Sequence, residues 1–201
     1  MLEGFSLDLD MGGVTIFSGP SGCGKTTLMR VIAGLLVPDS GTVSWIASPD
    51  DNTERSTLDT TDEIVSGYMF QEDRLLPWFS ALQNVAAVIS DDGDTARAEE
   101  TARLWLERVE LDDAHIDALP SELSGGQRRR VALARALAFD CRFLLLDEPF
   151  KGLDGALAFR MAELVRNHGV PVIAITHSDD DAKNLGGNRI FFDGPPLIVI
   201  E

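Results

Sequence analysis

Only two cysteines, Cys23 and Cys141, occur in the 201 residues, with three lysines and a single tyrosine. Two cysteines exclude a disulfide framework and a cysteine-built zinc cluster. Apolar residues make up 44% of the chain, yet no stretch approaches the roughly 18 consecutive apolar residues of a membrane span. Cations are scarce as well: 17 Lys and Arg stand against 33 Asp and Glu, for a net charge of −16 and a pI near 4.4. That balance excludes a nucleic-acid surface, which needs clustered positive charge. An acidic chain whose only lysines are Lys25, Lys151 and Lys183 would suit a high-salt cytoplasm, although an ordinary acidic surface is the simpler and preferred reading. The N-terminus shows no basic region followed by an apolar one, so no secretory leader is expected and the chain is placed in the cytoplasm. There is no internal repeat, and the length suits one domain with a substantial core.

What is present is a glycine-rich octapeptide, Gly19-Pro20-Ser21-Gly22-Cys23-Gly24-Lys25-Thr26, followed by Thr27. It fits G-x-x-x-x-G-K-[ST], a loop that binds polyphosphate. Glycines let successive N–H groups approach an anion without a side chain in the way. Lys25 adds a full positive charge for β- and γ-phosphates, and the Thr26 hydroxyl can hold Mg²⁺. Cys23 reads as the small side chain that such a loop wants. The flanks agree. Val14 to Phe17 reads as a buried strand, and Thr27 to Leu35 as a helix with Leu28, Val31, Ile32 and Leu35 on one face. A helix starting near Gly24 would aim its positive dipole end at the same anion.

Along the rest of the chain the spacing predicts strands over 5–11, 42–46, 64–70, 143–146, 170–175, 189–192 and 197–200. Helices are expected from Ser80, over 95–109, over 124–138, over 155–168 and over 178–185, with a polar loop over 47–63. Continuous apolar strands separated by helices indicate a parallel sheet covered on both faces. In such sheets ligands sit at the carboxyl ends of the strands.

Two further strings fall at strand ends or helix starts. Asp147 and Glu148 directly follow an apolar strand; Asp147 is placed to hold Mg²⁺ and Glu148 to polarise an attacking water. In Leu123-Ser124-Gly125-Gly126-Gln127, Ser124 caps a helix while two glycines leave its first N–H groups open to an anion. Each glycine costs about 1 kcal/mol relative to Ala in a helix, which points to close approach of a ligand. Arg128, Arg129 and Arg130 read as a solvated helix face.

With these motifs in order, the chain resembles the ATP-binding cassette ATPases, the motor subunits of ABC transporters. The resemblance rests on the Walker A loop Gly19–Thr26, on Gln71 as the Q-loop glutamine and on the signature Leu123–Gln127. It extends through the Walker B strand 143–147 with Glu148, the D-loop Asp154 and the switch His177. It implies an α/β P-loop NTPase (RecA-like) core with a mainly parallel sheet, a small antiparallel β subdomain and an inserted helical subdomain over 72–122. It also implies a homodimer that sandwiches two ATP, with the Walker A loop of one copy facing Ser124, Gly125, Gly126 and Gln127 of the other. Gln71 would sense Mg²⁺ and the attacking water, His177 would contact the γ-phosphate, and Asp154 would link the two sites.

The segment from Gln71 to Trp78 is similar to the Q-loop of the nitrate/sulfonate/taurine-type importers. It implies contact with a membrane permease subunit, a location on the inner face of the membrane and, indirectly, an extracytoplasmic solute-binding protein. The aromatic residue that usually stacks on adenine is not evident, Phe5 being a weak substitute, and Lys151-Gly152 is unusual in the D-loop. A soluble non-transport ABC ATPase and a nucleotide-gated binding module are the alternative readings.

Overall fold

The structure, a computed structural model, describes residues 2–10, 12–44, 65–89 and 93–200. Its elements run β1 (Val14–Ser18), α1 (Lys25–Ile32), β2 (Ser66–Met69), α2 (Ala81–Ala86), α3 (Thr95–Arg108), α4 (Gly125–Ala138), β3 (Phe143–Asp147), α5 (Gly155–Arg166), β4 (Val172–Ile175), α6 (Asp179–Leu185), β5 (Asn188–Asp193) and β6 (Ile198–Ile200). Short 3-10 turns at Asp113–His115 and Pro120–Glu122 join α3 to α4.

One six-stranded sheet has the order β2-β3-β4-β1-β5-β6, parallel except for the antiparallel β5–β6 pair. The two-residue period of the strands sorts their side chains onto the two faces. Ile16, Leu144, Leu146, Val172 and Ala174 join the helices α2 to α6 in one core. Their neighbours Phe17, Phe143, Leu145, Ile173 and Ile175 join α1 and Phe192 in a second core on the opposite face. Strands buried on both faces explain why they read as unbroken apolar runs.

Four expected elements differ. Residues 5–10 form no strand, although their alternation survives: Phe5, Leu7 and Leu9 are half-buried against the second core while Ser6, Asp8 and Asp10 face outward. The pattern dictated the burial, but among the described residues no strand pairs with this segment to complete a ladder. Residues 42–44 are likewise without strand structure, and 45–64, with the loop expected over 47–63, lie outside the described residues. Among the described residues the antiparallel pairing of the sheet is therefore β5 with β6. Helix α1 stops at Ile32 because Gly34 turns left-handed at φ 69°, which leaves Leu35 exposed. At β4 the strand begins after Pro171, which has no N–H to give a ladder.

Between β2 and α4, helices α2 and α3 pack through Ala98, Ala102, Leu106 and Val109. Buried Asn84 stitches the chain before α2: its amide donates to the carbonyls of Leu76, Phe79 and Ser80, and its Oδ1 accepts from the Leu76 N–H at 2.8 Å. That bracing leaves Trp78 70% exposed.

Candidate active site

Sheet register brings the phosphate loop, Gln71, Asp147, Glu148 and His177 to one edge. Phe17 on β1 and Asp147 on β3 both pair with Ile175 on β4, so the segments after all three strands leave side by side. Met69 on β2 pairs with Leu146, which brings Gln71 to the same edge.

The phosphate loop leaves β1 at Gly19, whose φ is 138° and whose added Cβ would lie 2.1 Å from the Phe192 carbonyl oxygen on β5. Both the conformation and the contact require glycine there. Gly24, at φ 122°, precedes α1 with no side-chain cap, so the loop backbone leads directly into uncapped helical N–H groups. The Lys25 ammonium is 5% exposed and donates to the carbonyls of Gly19 at 2.8 Å and Pro20 at 2.7 Å, with Cys23 Sγ at 3.5 Å. It spans the loop and holds its curve.

Opposite the loop stand two carboxylates. Thr26 Oγ1 donates to Asp147 Oδ2 at 2.9 Å. Burial pushes the Asp147 carboxyl up from its ordinary pKa, while the Thr26 hydroxyl and the cations Arg129, Arg30 and Lys25 pull it down. Glu148 adopts the left-handed region at φ 53°. Its N–H donates to the Ile175 carbonyl at 2.9 Å, and its own carbonyl accepts from the Lys151 N–H at 3.2 Å and from Arg129. Burial raises its pKa most; His177 opposes that shift and Asp147 adds to it. Glu148 Oε1 is buried without a hydrogen-bond partner, 3.4 Å from His177 Nε2.

These groups enclose a cleft of about 230 Å³ lined by Ser21, Gly22, Gly24, Lys25, Thr26, Thr27, Gln71, Asp147, Glu148, Ile175 and His177. Gly19, Pro20 and Cys23 shape the loop beneath it.

Ser124, Gly125, Gly126, Gln127 and Asp154 do not line this cleft. Ser124 caps α4 in a reciprocal box: its Oγ accepts from the Gln127 N–H at 3.2 Å, and its N–H donates to Gln127 Oε1 at 2.7 Å. Asp154 caps α5, accepting from the Leu157 N–H at 3.0 Å. The two caps are neighbours, since a Cβ on Gly126 would lie 3.6 Å from Leu153 Cδ2.

Arg129 corrects the expectation of a solvated arginine face. It is 4% exposed, and its guanidinium reaches the carbonyls of Phe70, Gln71, Asp147 and Glu148. The signal was available in the helical spacing: Arg129 shares a face with Ala132, Leu133 and Ala136, the buried stripe of α4.

A family model described as ABC transporter matches residues 2–151. The chain belongs to the ABC transporter family. As an ABC cassette it is 40% identical over 207 residues to a taurine import ATP-binding protein of Pseudomonas aeruginosa, covering 100% of this chain and 74% of that one. It is 37% identical over 203 residues to an aliphatic sulfonates import ATP-binding protein of Agrobacterium fabrum, covering 99% and 73%. Among solved structures, a dimeric bacterial ABC transporter cassette superposes with a TM-score of 0.78 at 27% identity, over 94% of this cassette and 85% of that one. A dimeric cassette in a post-hydrolysis state bound to ADP and Pi gives a TM-score of 0.76 at 30% identity and the same coverage. Among the described residues of this cassette, no helix is long and apolar enough to cross a membrane.

Proposed function

We propose that the cassette hydrolyses ATP at the cleft between the phosphate loop and Glu148 and thereby powers solute import through separate permease subunits. The observation that carries this reading is Glu148 Oε1, a buried carboxylate oxygen without a hydrogen-bond partner, on a residue that lines the same cleft as Lys25. Such an oxygen suits acceptance of a proton from a water as that water attacks the γ-phosphorus. The attack forms a new P–O bond as the bond to the ADP oxygen breaks, releasing ADP and phosphate.

In this mechanism the N–H groups of the loop Gly19 to Thr27, Pro20 excepted, cradle the phosphates, and the Lys25 ammonium exchanges the loop carbonyls for β- and γ-oxygens. His177 meets the γ-phosphate, and Gln71 orients the attacking water. Thr26 and Asp147 fit Mg²⁺, being hard oxygens 2.9 Å apart. Gln71 would be a further ligand. Among the described residues no group of three or more His, Cys, Asp or Glu could hold a metal unaided. A shell completed by phosphate and water is the usual habit of Mg²⁺. When bound, the ion neutralises charge on the transferring group.

The caps at Ser124 and Asp154 do not line the cleft of their own copy. That placement supports a homodimer in which Ser124 to Gln127 complete the partner's site and Asp154 lies between the two. Residues 72–122 form the helical subdomain. The exposed Trp78 and Leu76 beside Gln71 suit a permease contact, and such a contact would hold the cassette at the cytoplasmic membrane face, with a solute-binding protein as an indirect partner. The named relatives import taurine and aliphatic sulfonates, so a small sulfonate is the solute class to test first.

The test is phosphate release with ATP and Mg²⁺. Wild type should turn over, Lys25→Met should lose nucleotide affinity, and Glu148→Gln should lose turnover while accumulating as an ATP-bound dimer on gel filtration. Wild-type turnover in Glu148→Gln would remove Glu148 from the role given it.

A further inference from the structure

Among the described residues, three that are not glycine have a left-handed backbone: Arg74 at φ 45°, Glu110 at φ 58° and Glu148 at φ 53°. For residues with a Cβ this region is unfavourable, so something around each must over-determine it. In all three cases the carbonyl accepts from an arginine of α4. Arg135 donates to Arg74 at 2.9 Å, Arg130 donates to Glu110, and Arg129 donates to Glu148. One helix therefore holds three strained corners through three of its arginines.

Arg129 alone of these touches the cleft's own segments. One nitrogen donates to the backbone carbonyls of Asp147, at 2.6 Å, and of Glu148. The other donates to Phe70 at 3.0 Å, Gln71 at 3.1 Å and Asp73 Oδ1 at 3.0 Å. A planar guanidinium can bridge two walls in this way, whereas an ammonium is a single point. Fastening of the loop as such does not depend on it, because Arg135 also holds the Asp73 carbonyl at 2.9 Å.

We propose that Arg129 is a positioning residue for hydrolysis, whose guanidinium fixes the strained Glu148 backbone to the Gln71 loop. The Glu148 carboxylate and the Gln71 side chain then address the same water. This rests on the hydrolytic reading above, and acts through Glu148 and Gln71 rather than on the phosphate.

The deciding experiment measures steady-state hydrolysis against ATP concentration, together with melting temperature, for wild type, Arg129→Lys and Arg135→Lys. Arg129→Lys keeps the charge opposite Asp73 but reaches only one wall. A misplacement of about 1 Å at a reacting group costs about 100-fold. The expected result is a kcat at least about 30-fold lower in Arg129→Lys, with KM within about threefold and melting within a few degrees. Arg135→Lys, which loosens a corner away from the cleft, should keep kcat within about threefold. A kcat in Arg129→Lys close to wild type overturns the proposal. So does an equal loss in Arg135→Lys, or a chain that no longer folds, since either would make the arginine a general brace. If the wild type itself releases no phosphate, the hydrolytic reading has failed, and this inference falls with it; wild-type turnover with an indifferent Arg129→Lys sinks this inference alone.

Discussion

Replacing Glu148 by Gln should make the nucleotide-free cassette harder to unfold while removing its activity. The Glu148 side chain is 9% exposed, its Oε1 has no hydrogen-bond partner, and the Asp147 carboxyl lies next to it. A buried polar group left unsatisfied costs about 1–3 kcal/mol, and more when charged. His177 Nε2 at 3.4 Å recovers part of that, so a gain of about 1–2 kcal/mol is expected from the neutral amide. For a domain of this size each kcal/mol moves the melting temperature by about 2–4 °C, so the rise should be roughly 2–8 °C.

The pH dependence fixes the cause. Burial raises the folded-state pKa of Glu148 above its ordinary 4.5, so the folded chain holds a proton that the unfolded chain gives up. The stability this group contributes is complete below pH 4.5 and is lost as pH rises through the folded-state value. Wild type carries the penalty once pH exceeds that folded-state value, whereas Glu148→Gln never carries it. Calorimetry without nucleotide should show the largest difference at pH 8 and a shrinking one towards pH 5. Equal or lower melting of the variant at pH 8, or an advantage that grows as pH falls, would refute the reasoning.

Other substitutions test other contacts. Gly19→Ala should destabilise by roughly 3 kcal/mol or more, since its Cβ would meet the Phe192 carbonyl at 2.1 Å. Gly22→Ala, at φ 82° with nothing within 4 Å, should cost only about 1–2 kcal/mol; equal losses in urea denaturation would count against the steric argument. Asn84→Ala should cost about 1–3 kcal/mol by removing the side-chain donor to the Phe79 carbonyl and the acceptor of the Leu76 N–H, while the Leu76 and Ser80 carbonyls keep backbone donors. The same assay checks it, and an unchanged midpoint would deny Asn84 its bracing role. Trp78→Ser should leave phosphate release intact and abolish co-purification with a co-expressed permease; retained capture would move that contact elsewhere.

Much of this was legible because strand and helix periods are strong signals where both faces are buried. Phe143 to Leu146 could be nothing but a central strand, and the glycines of the phosphate loop constrain the backbone on their own. Phe5 to Asp10 shows the limit. Alternation reports which side chains turn inward, but a strand also needs a neighbour, and no local pattern supplies one. Arg129 shows another. Three successive arginines on a helix point about 100° apart, so one could face inward, yet composition alone favours water for all of them. The left-handed backbone of Glu148 was also hidden, because a glutamate gives no local sign of a conformation imposed from Ile175, Lys151 and Arg129. Strand-end positions put the phosphate loop, Gln71, Asp147, Glu148 and His177 on one sheet edge; the tertiary contacts decide how they are aimed.

The contact between Gly19 and Phe192 also sets a schedule for synthesis. Strand β1 leaves the ribosome well before its two neighbours in the sheet, β4 and β5. At roughly 5–20 residues per second, more than 150 residues must follow the loop, a wait of about 10–30 s. Through that interval the loop has its glycines and its lysine but no floor. A nascent chain therefore cannot capture nucleotide early, and competence for ATP arrives together with completion of the sheet.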